Sequence, residues 1–332
     1  MSDTATSEGE TAERPRVFAS RRVPPRVREE LEHSFAAELH DAQEPLERGR
    51  LLAAVAGCDG LVTVPGDQVD DELLAAAGPR LRIVANFGVG YDNVDVEAAA
   101  RRGVVVANTP DVLTAATAEL TLALLLALAR RVAEGDRLIR RRDPWYLSPA
   151  FMLGRGLEGR TLGIVGLGRI GREVARLGGA FRMRVVFTNR SGRRNEPYEW
   201  LPLAGLLASA DVVSLHCPLT PETYHLLGRA EFRRMGREAL LVNTTRGPVV
   251  DEDALVSALV AGEIAGAALD VFEHEPTVPE TLLALENVVL TPHVGSATSR
   301  ARDAMGMLCV EALRAVLLDG RVPENAVTRS LS

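Results

Sequence analysis

Six β-branched, apolar runs recur through the second half of this 332-residue chain, at 161–166, 184–189, 211–217, 239–244, 266–272 and 287–293. Their starts are 21 to 28 residues apart, room for one short strand and one crossover helix and little else. Strands joined this way return in the same direction, so the sheet they form is parallel and covered on both faces. The expected fold class is therefore α/β, with a doubly wound, six-stranded sheet. The first half follows the same rhythm more loosely, with strands expected at 16–20, 60–64, 83–87 and 104–108. A long helix is expected over 113–131, after the turn Asn108-Thr109-Pro110-Asp111. A second, from about 299 to 318, follows the last strand and has nothing left there to extend. It is expected to return to the first domain and make it discontinuous. The expected division is a disordered tail over 1–15, one domain of 16–107 with 298–332, and a second of 108–297.

Composition narrows the chemistry. All 38 basic residues are arginine and none is lysine; with 45 acidic residues the formal charge is −7. A lysine Schiff base and a P-loop lysine on β/γ-phosphates are both excluded. A mildly acidic chain gives no electrostatic reason to expect nucleic acid as partner. Cys58, Cys217 and Cys309 form no CxxC pair, which fits a reducing cytoplasm better than a disulfide framework. The most apolar segment, 120–129, is closed by Glu119 and by Arg130-Arg131, too short for the roughly 20 residues of a membrane span.

Gly166-Leu167-Gly168-Arg169-Ile170-Gly171 is a GxGxxG that follows an apolar strand and opens a helical pattern, the context in which such a turn holds a dinucleotide pyrophosphate. A site for NAD places an acid about 20 residues further on, against the ribose 2′-hydroxyl. Here the next strand runs into Asn189-Arg190-Ser191-Gly192-Arg193-Arg194, with no carboxylate before Glu196. A neutral amide among guanidinium groups suits a 2′-phosphate, which an acid would repel. NADP(H) is expected over NAD(H), with NAD(H) left as the alternative.

Three polar residues stand at or just after strand C-termini, where open α/β sheets bind ligands: Arg246, Glu275 and His293. A guanidinium can hold a carboxylate by two parallel bonds and polarise the adjacent C=O. An imidazolium can give up a proton as hydride reaches carbon, and a carboxylate on its other nitrogen fixes the tautomer and favours the protonated form. Taken singly, each reads as easily as a loop charge, a surface acid or a strand-end histidine.

Longer motifs set these three in context. The segments 86–95 (NFGVGYDNVD), 108–114 (NTPDVLT), 161–171 (TLGIVGLGRIG), 215–220 (LHCPLT), 242–247 (VNTTRG), 269–276 (LDVFEHEP) and 290–295 (LTPHVG) make the chain resemble the D-isomer-specific 2-hydroxyacid dehydrogenases from about residue 60 to 300. Within that family it looks most like the glyoxylate/hydroxypyruvate reductases, through 111–114, 222–226 and Asn189-Arg190-Ser191. The resemblance implies two Rossmann-like, doubly wound domains around an interdomain cleft, the first for substrate and the second for the dinucleotide. It implies a catalytic Arg246, Glu275 and His293, a substrate carboxylate bound by the N–H groups of Val89 and Gly90 as well as by Arg246, and no metal. It places cofactor contacts at Thr114, Gly166, Gly168, Arg169, Ile170, Gly171, Asn189, Arg190, Ser191, Arg193, Cys217, Pro218, Thr223, Thr244, Thr245, Asp270, His293 and Gly295. It also implies a homodimer through the segment containing 113–131, with Trp145 in the adjoining arm. One departure is Ala115, where many relatives carry an acid.

The reaction so implied is NADPH-dependent reduction of glyoxylate or hydroxypyruvate to the 2-hydroxy acid. Another 2-hydroxyacid or phosphite dehydrogenase of the family, or a cofactor-sensing corepressor-like scaffold, are the alternatives. His216 reads as a packing residue, and His225 and His274 have no partner that the sequence names.

Overall fold

A computed structural model describes residues 13–192 and 196–328. Arg193 and Arg194 of the expected cofactor loop, and residues 1–12 of the expected tail, lie outside the described residues. The chain forms two compact units, one running to Pro110 and resuming at Arg302, the other spanning Asp111–Ala301. The divisions thus fall at 110 rather than 107 and at 301 rather than 297.

The first unit holds β1 (Arg16–Ala19), β2 (Ala36–Leu39), β3 (Gly60–Thr63), β4 (Ile83–Asn86) and β5 (Val105–Ala107), in the order β2-β1-β3-β4-β5. Every pairing is parallel. β2 escapes a reading of the sequence because its Ala-Ala-Glu-Leu lies at the sheet edge with every residue at least partly exposed. It therefore has no apolar run to announce it. β3, β4 and β5 are buried along their whole length, as strands covered on both faces must be. The helix Ser299–Leu317 packs here from Arg302 on. Arg314 binds Glu30 at 2.6 Å, and Arg82 donates to the Val316 carbonyl.

The second unit holds β6 (Thr161–Val165), β7 (Arg184–Thr188), β8 (Glu199–Trp200), β9 (Val212–Leu215), β10 (Leu240–Asn243), β11 (Gly266–Leu269) and β12 (Val288–Leu290). Their order is β12-β11-β10-β9-β6-β7-β8, seven strands rather than six. The additional β8 is two residues long, below what periodicity can register. Successive residues of β10 feed opposite cores: Leu240 and Val242 join Leu122, Leu125 and Ile164, while Leu241 joins Phe232, Leu255 and Leu259. The strands end earlier than the apolar runs suggest, β11 at Leu269 and β12 at Leu290. Just beyond those points Asp270 N and Thr291 N still donate to the carbonyls of Asn243 and Leu269, and side chains then take over, Glu275 for Phe272 N and Asp270 for Val294 N. The expected helix over 113–131 is Thr114–Ala129, ended by Arg131 in the left-handed region (φ 55°) and followed by Val132–Arg140.

Winding starts at β6, moves out to β7 and β8, and returns to β9 on the other side of β6. That reversal puts the switch point between β6 and β9, where doubly wound sheets bind ligands.

Candidate active site

The glycine turn sits at this switch point. Gly166 follows β6 with φ 98°, and a Cβ there would lie 2.7 Å from the backbone of His216 and Cys217, just past β9. A Cβ on Gly171 would meet the Gly166 carbonyl oxygen at 2.2 Å, so the helix Arg169–Ala180 can approach the turn only without one. A Cβ on Gly168 would instead meet nothing within 4 Å. Two glycines are thus required by the protein's own packing, while the third leaves open space at a helix N-terminus. That is the cradle a pyrophosphate needs.

Asn189, just past β7, supports the turn: its Oδ1 accepts the Leu167 N–H at 2.7 Å. With Oδ1 so engaged, its amide NH2 is the group left to meet a ligand. Gly192 (φ 68°) closes a turn onto the Asn189 carbonyl at 3.1 Å, leaving Arg190 and Ser191 exposed. Arg169 forms an ion pair with Asp111. Glu196, the first acid after the strand, is gripped by both ends of the Arg172 guanidinium.

The expected triad is assembled from three loops. After β10, Asn243 is buried; its Nδ2 donates to the Arg246 carbonyl at 3.0 Å and its Oδ1 accepts from Thr245 N and Oγ1. After β11, Asp270 is buried and gathers the next loop. One carboxylate oxygen accepts from Thr291 Oγ1 and Val294 N, the other from Gly295 N at 2.8 Å. His293 is thereby held in the left-handed region (φ 53°), with its N–H on the Asp270 carbonyl at 2.8 Å. Non-glycine residues rarely sit there, and such residues concentrate at functional sites. Its Nδ1 lies 2.8 Å from Glu275 Oε2, while Glu275 Oε1 accepts the Phe272 N–H at 3.0 Å. Burial pushes the Glu275 carboxyl up, but the His293 hydrogen bond and charge, with the Phe272 N–H and the Arg246 charge, outweigh it. The net effect holds Glu275 below its ordinary range, as a carboxylate.

The remaining expected contacts have structural partners. Thr114 opens its helix, Thr244 Oγ1 lies 3.0 Å from Thr121 Oγ1, and Thr223 Oγ1 donates to the Pro218 carbonyl. Burial pushes the Cys217 thiol up to about 11, so it is no nucleophile at neutral pH. Burial drives His216 down to about 3, leaving a neutral ring beside Ser214 Oγ at 2.8 Å. His225 does have a partner: Glu273 Oε1, at 2.7 Å.

Val89 and Gly90 lie in the first unit, on the loop after β4. Among the described residues the N–H groups of Val89, Gly90 and Tyr91 donate to no acceptor. No group of three or more His, Cys, Asp or Glu able to hold a metal occurs among the described residues, and no helix among them is long and apolar enough to cross a membrane.

Residues 122–295 match the family described as D-isomer specific 2-hydroxyacid dehydrogenase, NAD binding domain. A glyoxylate reductase of Korarchaeum cryptofilum is 47% identical over 325 residues, 96% of this chain and 97% of that one. One from Aeropyrum pernix is 48% identical over 327 residues, with the same coverage. The chain belongs to the D-isomer-specific 2-hydroxyacid dehydrogenases. It is a nicotinamide-dependent oxidoreductase of the glyoxylate reductase-like kind. Among solved structures it is similar to an NADPH-dependent glyoxylate/hydroxypyruvate reductase from Sinorhizobium meliloti in complex with NADP and malonate. That match has 37% identity and a TM-score of 0.82, covering 95% of this chain and 97% of that one.

Sequence reasoning missed the buried asparagines Asn86 and Asn243 and the role of Asp270 beyond cofactor contact. The signal was present: a lone amide or acid ending an apolar strand, Val-Ala-Asn86 and Leu-Val-Asn243, has to find partners in the loop beyond.

Proposed function

We propose that this chain reduces small 2-oxo acids, glyoxylate and hydroxypyruvate foremost, to 2-hydroxy acids with NADPH. The observation that carries the reading is the His293–Glu275 pair at 2.8 Å beside the Arg246 charge. NADPH, when bound on the Gly168 cradle, supplies the hydride. With Nδ1 facing a carboxylate, the His293 ring carries its hydrogen there, and Nε2 is the position that donates a proton to the substrate oxygen. Glu275 stabilises the imidazolium before that transfer and orients it throughout. Arg246 binds the substrate carboxylate and polarises the neighbouring carbonyl, and within the first unit the N–H groups of Val89 and Gly90, which donate to nothing among the described residues, are further donors for a substrate carboxylate.

The preference for NADPH rests on Asn189. Its amide presents donors where a carboxylate would repel a 2′-phosphate, and Arg190 stands exposed beside it. The one acid that follows, Glu196, is bound to Arg172. That the S. meliloti relative is described as NADPH-dependent supports the same choice. Three free, buried cysteines suit a reducing cytoplasm. The arm after residue 140 exposes Trp145 (53%), Leu147 (96%) and Leu153 (68%), apolar surface that supports a homodimer. Sedimentation at about twice 35.7 kDa is the expected result, and a monomer at micromolar concentration would remove that part.

The test of function is kcat/KM of the purified protein for a panel of 2-oxo acids, with NADPH and NADH in parallel. NADPH should be favoured by at least about tenfold, the worth of one charge-assisted contact. An NADH preference of that size overturns the cofactor assignment. Tight NADPH binding without turnover of any 2-oxo acid would favour a cofactor-sensing scaffold.

A further inference from the structure

The loop after β4 is held in an unusual way. Its four successive carbonyls are all occupied from within the first unit: Gly88 O accepts the Thr109 N–H at 3.0 Å, Val89 O accepts Asn108 Nδ2 at 2.8 Å, Gly90 O accepts Asn86 Nδ2 at 2.8 Å, and Tyr91 O accepts the Val94 N–H at 3.0 Å. The N–H groups of Val89, Gly90 and Tyr91 donate to nothing among the described residues. A peptide whose carbonyl is tethered cannot rotate about its flanking bonds, so its N–H direction is fixed as well. The loop presents consecutive fixed donors, the backbone form of an anion site.

Asn86 is the side chain of this clamp with no solvent access; it is fully buried at the C-terminus of β4. Its orientation follows from its neighbours. Asn93 Nδ2 is surrounded by three acceptors, the Val64 carbonyl at 3.1 Å, the Asp67 carbonyl at 2.9 Å and Asn86 Oδ1 at 3.2 Å. Those acceptors set the Asn93 amide and leave its own Oδ1 buried without a partner. Thr63 Oγ1 also donates to Asn86 Oδ1, at 3.3 Å. With Oδ1 turned toward two donors, the Asn86 NH2 has only one direction left, and it meets Gly90 O.

We infer that Asn86 is a positioning residue for substrate binding: by holding the Gly90–Tyr91 peptide it fixes the Tyr91 N–H and the C-terminal side of the loop that presents the Val89 and Gly90 N–H groups to the substrate carboxylate, while Asn108 holds the Val89–Gly90 peptide, and so the Gly90 N–H, through an exposed contact. The inference rests on the reading above that a 2-oxo acid carboxylate binds this loop. That carboxylate is bound alike in ground and transition states, so loosening the loop weakens KM rather than kcat.

Asn86→Ala is the informative variant, because Asn93 keeps the Val64 and Asp67 carbonyls and only the Thr63 hydroxyl loses an acceptor. The KM for glyoxylate should rise about tenfold, the worth of a buried hydrogen bond, with kcat and the KM for NADPH each within about twofold of wild type. Asn86→Asp keeps the acceptor toward Asn93 and Thr63 but sets a carboxylate against Gly90 O beneath the anion site, and should raise KM further. In parallel, the cofactor-bound wild type is titrated with oxamate, a non-reducible carboxylate, while the Val89, Gly90 and Tyr91 amide resonances are followed by NMR. Those resonances should shift in the wild type, and in Asn86→Ala only at about tenfold higher oxamate.

An unchanged KM and unchanged oxamate response in folded Asn86→Ala overturns the inference, as does a joint loss of kcat, NADPH affinity and thermal stability, which is what a merely structural residue would give. If Asn86 variants do not fold, Asn108→Ala takes their place; a KM increase of about threefold supports the clamp and no change refutes it. If the wild type reduces no 2-oxo acid, the functional reading falls by itself. The oxamate titration then decides: amide shifts weakened in Asn86→Ala support the clamp, and shifts preserved there, or absent from the wild type, refute it.

Discussion

Each unit carries a glycine loop at the C-terminal end of a strand, and an asparagine holds each one from the opposite side. In the first unit Asn86 donates to Gly90 O, leaving the N–H groups of Gly88-Val89-Gly90-Tyr91 to the ligand apart from that of Gly88, which returns to Asn86 O. In the second unit Asn189 accepts the Leu167 N–H inside Gly166-Leu167-Gly168, and the donors proposed to face the ligand come from the helix that follows. The same residue type therefore does opposite work because an amide has two ends. Holding carbonyls makes a small, compact donor site suited to one carboxylate. Holding an N–H leaves the amide's own NH2 to face outward, and this is the end proposed to meet the ribose.

The comparison breaks most visibly at the second loop. Gly171→Ala puts a methyl 2.2 Å from the Gly166 oxygen, so a loss of about 1–3 kcal/mol of stability and of most NADPH binding is expected, read by thermal melting and cofactor titration. Gly168→Ala has open space around its new methyl; melting should be unchanged while NADPH binding weakens by roughly tenfold or more, because the methyl occupies the pyrophosphate's position. Equal melting losses for the two would show that Gly168 is structural too. Next in size is Asn189→Asp. It keeps the acceptor that Leu167 needs but adds a charge, and should cut the NADPH/NADH ratio of kcat/KM by about 10- to 100-fold while leaving the KM for glyoxylate alone. If the glyoxylate KM moves with it, the two loops are not separate in function.

The smallest effect concerns pH. Glu275 is held below its ordinary 4.5, so its contribution to stability is complete above that value and is lost as pH falls through the depressed one. The melting advantage of wild type over Glu275→Gln should therefore shrink on acidification below about pH 4.5. With both side chains more than a third exposed the advantage will be modest, and one that grows on acidification would contradict the assignment.

The periodicity of apolar runs made the parallel α/β architecture legible, and motif order made Arg246, Glu275 and His293 legible as a set. What stayed hidden depends on partners that no local pattern encodes. β2 has no apolar run, and β8 has only two residues. Strand ends were read too long because Asn243 and Asp270 take over the backbone's hydrogen bonds where the ladder stops, and an apolar run carries no mark of that exchange. His225 gave no hint of Glu273, 48 positions away, since the contact exists only once two loops meet.

The proposed proton donor, His293, lies outside both glycine loops, and it offers the most direct test. His293→Ala should lower kcat for glyoxylate reduction by about 10³-fold while the dissociation constants of NADPH and oxamate stay within about threefold of wild type. Turnover near the wild-type rate from a variant that binds both ligands normally would contradict the account.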